Sequence, residues 1–152
     1  MSAVRFATRE ALQVTLEEWC LKLVNPISKY RSGALRVLSG STAVYLEVME
    51  FGRELFGVNV SGVVLHKVPR SDELALELLT SDQFNDYYAG AWVVSGYDDD
   101  SSTFRLDYNL CLFANQLDQV EFESAVRLVA HVSDNHDEEL QAKYGGKLWS
   151  ES

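Results

Sequence analysis

The sequence predicts an α+β fold: a single antiparallel sheet of about five strands with three helices, in the order α-βββ-α-ββ-α. Three observations predict it. Apolar residues recur every three to four positions in three separate stretches and every second position in the stretches between. Gly, Pro and acidic turn residues mark the changes of period. Helices flank runs of strands instead of alternating with each strand, which separates this class from a parallel α/β sheet. The 152 residues, 47% hydrophobic and 11% aromatic, suit one domain, 1–152, with a core that needs neither metal nor disulfide.

Thr8 is placed to cap a first helix over 8–24, where Leu12, Leu16, Trp19, Cys20 and Leu23 share a face before Asn25-Pro26 closes it. Strands follow at 34–38, 43–49 and 54–66, with Gly33, Gly40-Ser41, Gly52, Gly57 and Gly62 read as turn-like punctuation. In the second of them Val44, Leu46 and Val48 lie on one face and Tyr45, Glu47 and Met49 on the other. Pro69-Arg70-Ser71 ends this meander. Ser71 caps a helix over 71–88 whose first turn holds Asp72 and Glu73, suited to the positive helix end, and whose Leu74, Leu78 and Leu79 form an apolar ridge.

A hairpin of strands 91–97 and 104–113 comes next, joined by the turn Asp98–Thr103. Phe104, Leu106, Tyr108, Leu110 and Leu112 share one face of its second strand; Arg105, Asp107, Asn109, Cys111 and Phe113 share the other. The last helix, 120–143, carries Phe122, Ala125, Val126, Val129, Val132, His136 and Leu140 at helical spacing, and Gly145-Gly146 ends it.

Thirteen Lys and Arg against 23 Asp and Glu leave a net charge of −10. Residues 1–70 hold nine basic and six acidic side chains (+3), and 71–152 hold four basic and 17 acidic (−13). Such a C-terminal half repels polyanions, so no nucleic acid and no membrane surface is an expected partner, whereas basic segments are attracted. Cys20 and Cys111 form no CxxC or paired pattern, and no apolar run approaches the ~18 residues of a membrane span. A reduced, cytoplasmic chain is expected.

Signatures of catalysis are missing: there is no GxGxxG, GxxxxGK[ST], GxSxG or HExxH. His131 and His136, five apart on one helix, point about 140° apart and cannot chelate together easily. His136 falls on the apolar stripe, as a packed core imidazole does, and His66 stands in a strand. Asp98-x-Asp100-x-Ser102 copies the start of a calcium loop, but Thr103 occupies the position of its glycine and Asn109 that of its glutamate, so a solvated turn is expected. Asp134, Asp137, Glu138 and Glu139 read as the solvated outer face of the last helix. Cys20 reads as an inert core residue, and Cys111 has no assignable base. No catalytic residue, metal ligand or cofactor is expected.

What stands out is apolar material on the strand face turned away from the expected core: Leu38, Tyr45, Met49, Cys111 and Phe113. If the three helices cover one face only, these residues form an exposed patch of the kind that marks binding sites; otherwise a helix, a loop or a dimer mate covers them.

In its element order, its size, its acidity and its amphipathic last helix the chain resembles the bacterial class I type III secretion chaperones, and in particular the YbjN-like branch of that fold. The residues that carry the resemblance lie mostly in the second half. They are Asp72–Leu79 followed by Phe84-Asn85, the hairpin of Gly90-Ala91-Trp92-Val93-Val94 with Phe104–Phe113, and the ending Glu139-Leu140-x-x-Lys143-Tyr144-Gly145-Gly146. The resemblance implies an α+β sandwich, homodimerisation, no enzymatic activity and binding of an extended polypeptide client. The expected function is that of a non-enzymatic chaperone-like or regulatory module holding an extended segment of a partner protein. A small acidic inhibitor or immunity protein that blocks a basic enzyme or toxin is the alternative.

Overall fold

A computed structural model describes residues 6–23, 27–40, 42–52, 55–81, 84, 89–97 and 99–151. Helix α1 (Arg9–Leu23) precedes β1 (Ser28–Lys29), β2 (Leu35–Ser39), β3 (Thr42–Gly52) and β4 (Leu55–Pro69). Helix α2 (Asp72–Thr80) leads to β5 (Ala91–Tyr97), β6 (Asp100–Phe113) and α3 (Gln119–Tyr144), and a short 3-10 turn, Trp149–Glu151, follows. All strands join one antiparallel sheet in the order β1-β2-β3-β4-β6-β5. The α+β class and the single sheet are as expected. The sixth strand, β1, is only two residues long, too short to show any period.

Caps form at Thr8 and Ser71, where the sequence places them, and Asp118 adds a third that it does not single out. The Thr8 hydroxyl accepts from the Ala11 N–H at 3.1 Å, Ser71 from Leu74 at 3.2 Å and Asp118 from Glu121 at 2.8 Å. Residues 24–26 lie outside the described chain, and with them the expected close of α1. Helix α2 is shorter than expected. Its carbonyls are closed at Ser81, an extended residue whose N–H donates to the Glu77 carbonyl; residues 82–83 and 85–88 fall outside the described set. Leu79 is not part of a buried ridge: Leu74 and Leu78 are buried, but Leu79 is 79% exposed. The β5–β6 turn is also tighter than expected, because Asp100 already belongs to β6 and accepts from Ser102 and Thr103.

Gly57 and Gly62 are not turns but interior positions of β4. Each admits a neighbour that a side chain would exclude. Gly62 pairs with Val44 and Tyr108 on the inner face. A Cβ there would meet Ser133 and Val129, so α3 lies close against the middle of the sheet. Helix α3 crosses β3, β4 and β6 and buries Phe122, Val126, Val129 and Leu140; α1 adds the tilted pair Trp19–Phe122 at 5.4 Å. His136 is a core residue, edge-on to Phe84 at 5.0 Å and to Trp92 at 6.1 Å. Asp137 is 4% exposed and belongs to the interior, unlike Asp134, Glu138 and Glu139, which are exposed as expected.

Beyond α3, Gly145 and Gly146 adopt φ of 82° and 90°, a left-handed region open to glycine at little cost. The chain reverses there, and Lys147 exchanges two backbone hydrogen bonds of 2.8 Å with His66 on β4.

Candidate functional site

Because α1 and α3 pack on one face of the sheet, the other face is left to the strands themselves, apart from the Trp149–Glu151 turn, which rests on β3 and β4 with the Trp149 ring over Arg36 at 5.4 Å. Alternation sends Tyr45, Glu47 and Met49 of β3 outward, with Asn59 and Ser61 of β4 and Arg105, Asp107, Asn109, Cys111 and Phe113 of β6. Register then sorts them into rows. Met49 stands opposite Gly57 and Gly57 opposite Phe113; Glu47 opposite Asn59 and Asn59 opposite Cys111; Tyr45 opposite Ser61 and Ser61 opposite Asn109. Successive rows are two residues apart along the strands, about 7 Å.

The first row is apolar and open. Met49 is 39% exposed and Phe113 68%. A register shift between Glu50 and Gly52 brings Phe51, 45% exposed, back over Gly57, where its ring meets Phe113 edge-on at 5.9 Å between centroids. Phe51 was not anticipated from sequence; the signal for it was Gly57, a glycine in mid-strand immediately before Val58.

The next two rows are polar. Asn59 donates to Ser61 at 3.3 Å and Ser61 to Asn109 at 2.7 Å, a chain of hydrogen bonds running across the face. Beside it a hollow of about 260 Å³ is lined by Tyr45, Glu47, Asn59, Arg105, Asp107 and Asn109 among others. Arg105 donates from Nε at 3.0 Å and Nη2 at 2.7 Å to a single oxygen of Asp107, Oδ2. Asp107 is 1% exposed, and its other oxygen, Oδ1, is buried with no hydrogen-bond partner. Burial raises the Asp107 carboxyl above its ordinary range in spite of the opposing pull of Arg105.

Of the five residues expected at the patch, the structure brings Met49, Cys111 and Phe113 together at one end. Cys111 is exposed, and partial burial raises its thiol. Tyr45 lies two rows off, about 14 Å along the strands, and packs on Tyr30 at 6.1 Å. Leu38, 47% exposed, sits beyond it on β2. The patch is therefore two apolar ends with a polar lane between them. A second apolar strip lies where α2 meets β5: Leu79, 79% exposed, and Val94, 49% exposed, line one hollow with Ala75 and Trp92, and Leu76 of the same helix is 63% exposed.

No group of three or more His, Cys, Asp or Glu is placed to hold a metal among the described residues. Cys20 is fully buried, and burial pushes its thiol up to about 12. No described helix is long and apolar enough to cross a membrane.

No family model and no curated protein matches the chain. Among solved structures it is similar to a chain of the ExsC–ExsE complex, with a TM-score of 0.59 over 91% of this chain and 96% of that one, at 15% identity. The likeness is one of fold. It agrees with the single antiparallel sheet and three helices, and at this identity it carries no side chain from one protein to the other.

Proposed function

We propose that this chain is a non-enzymatic, chaperone-like or regulatory module that holds an extended segment of a partner protein on the outer face of its sheet. The observation that carries the reading is the exposed cluster of Met49, Phe51 and Phe113, set on rigid strands and left uncovered by any described element. Exposed apolar surface of this kind marks interaction sites. An extended segment fits because its side chains repeat at the same ~7 Å as the rows beneath. Support also comes from the solved neighbour, whose structure is that of a complex, ExsC–ExsE.

Two further parts of the reading are proposals of the same standing. The cell compartment is the cytoplasm, in keeping with two distant free thiols. The chain forms a homodimer through Leu76, Leu79 and Val94, which leaves the outer sheet face free for the client.

A photo-crosslinking residue placed at position 113, introduced in the native cell, tests the proposal. The expected product is one or a few proteins crosslinked through a short stretch of chain, with Phe51→Ala reducing the yield. If instead Phe51→Ala is without effect while Asp134→Lys with Glu138→Lys abolishes binding to a folded basic enzyme, the acidic-inhibitor reading replaces it.

A further inference from the structure

We infer that the hollow beside the aromatic cluster receives an arginine side chain of the bound segment, so that the client carries a basic residue at a fixed distance from an apolar one. The inference rests on the proposed function and adds the chemistry of the partner. Its basis is Asp107, a carboxylate buried to 99% of its surface whose Oδ1 has no donor, in a hollow it shares with Glu47. A buried acceptor without a partner is costly, and most such groups in folded chains are satisfied.

The arrangement of donors and acceptors selects the ligand. Arg105 already spends two N–H groups on Oδ2 and is held to one side by them. The amide nitrogen of Asn59 is engaged by Ser61, and the Asn109 oxygen accepts from Ser61. What the hollow still presents are the acceptors of Glu47, Asn59 and Asp107, beside donors that Arg105 and Asn109 have left over. Tyr45 adds an aromatic ring at the wall. Charged acceptors beside a ring suit a guanidinium, which is planar, donates from several N–H groups and stacks on aromatic faces. Arg105, and Arg36 opposite Tyr45, oppose a second cation, whereas Glu47 and Asp107 attract it.

Spacing follows from the rows. The apolar row of Met49, Gly57 and Phe113 lies one step from Glu47 and Asn59, two steps from Tyr45 and Asn109 and three from Asp107, which a side chain as long as arginine's reaches from the row before. In an extended segment the first two of these steps are two and four residues. The client motif is therefore an apolar residue and an arginine separated by one or three positions.

A library of random dodecapeptides displayed on phage, selected on the full chain, tests this. Expected is enrichment of an arginine two or four positions from an apolar residue. In the best peptide, made synthetically, replacing that arginine by the neutral isostere citrulline should weaken binding at least about tenfold. In Glu47→Gln and Asp107→Asn the two peptides should bind alike. Glu47 is exposed, so Glu47→Gln tests the hollow without disturbing the part-buried Arg105–Asp107 pair. Selected peptides without a preferred basic position, or citrulline binding as well as arginine, overturn the inference and leave the partner reading standing. A library that yields no binder overturns both.

Discussion

The ring of Phe51 occupies the space above Gly57 where a side chain would otherwise stand, and from there it meets Phe113 edge-on at 5.9 Å. A residue at the end of one strand thus completes an aromatic pair across two others. The pair depends on the bulge between Glu50 and Gly52, which adds the extra residue that turns the ring back.

That contact makes Gly57 and Phe51 energetically coupled. A Cβ at position 57 would come within 3.0 Å of the Phe51 Cζ and the Leu112 carbonyl. Gly57→Ala is expected to destabilise the chain by about 1–2 kcal/mol. Adding Phe51→Ala should recover part of that loss, so that the double variant falls short of the sum in urea titrations. Strict additivity would show that Phe51 does not rest on Gly57.

Phe113→Ala separates binding from folding. A side chain 68% exposed contributes little to the core, so the change in stability should stay within ~0.5 kcal/mol. Affinity for the crosslinked segment should fall about 30-fold, as truncation of an aromatic anchor costs ~2 kcal/mol. Normal binding by this variant would remove the aromatic cluster from the site.

Gly62→Val addresses the core instead. Its side chain would have to enter the space held by Ser133 and Val129, whose Cγ1 lies 2.9 Å from a Cβ at that position. Overpacking of this kind costs ~1–3 kcal/mol, which corresponds to about 2–12 °C in Tm for a chain of this size. An unchanged melting temperature would mean that α3 does not press on the middle of the sheet.

The inner face and the elements were legible in the sequence, because alternation of Val44, Leu46 and Val48 and the helical spacing of Phe122 to Leu140 are local patterns. Gly57 and Gly62 were misleading for a physical reason: a missing side chain serves a turn and a close approach equally well, and only the partner strand or helix decides which. Leu79 lay on an apolar run but faces solvent, since α2 is short and covers only Leu74 and Leu78. The hollow at Asp107 was not legible at all. Asn59, Ser61 and Asn109 come together through a register between strands some fifty residues apart, and nothing in either strand alone announces it.

Asp107 should leave a mark on the pH dependence of stability. Burial raises its carboxyl from the ordinary 3.8, so between that value and the raised one the native state holds a proton that the unfolded chain has released. Stability on this account falls as pH rises through the window and recovers as pH drops towards 3.8. Asp107→Asn is expected to melt at or above the parent at pH 7. The difference should shrink on acidification. A difference that grows on acidification would reverse the sign of the assignment.

Homodimerisation through the α2 and β5 strip has a mass to measure. Light scattering at micromolar concentration should give twice the 17.1 kDa of the chain, and Leu79→Glu, at a position 79% exposed, should return it to one without loss of helix content. A single-chain mass for the parent at every concentration would refute the dimer.

The pairing of Gly57 with Phe113 also has a kinetic meaning. The β3–β4 and β5–β6 hairpins are local and close quickly, whereas β4 meets β6 only after the intervening helix and loop have been drawn in, a contact of high sequence separation. Met49 and Phe51 arrive with one hairpin and Phe113 with the other. The proposed client surface is therefore expected to assemble late, at the step that joins the halves, so that a nascent or half-folded chain would not display it.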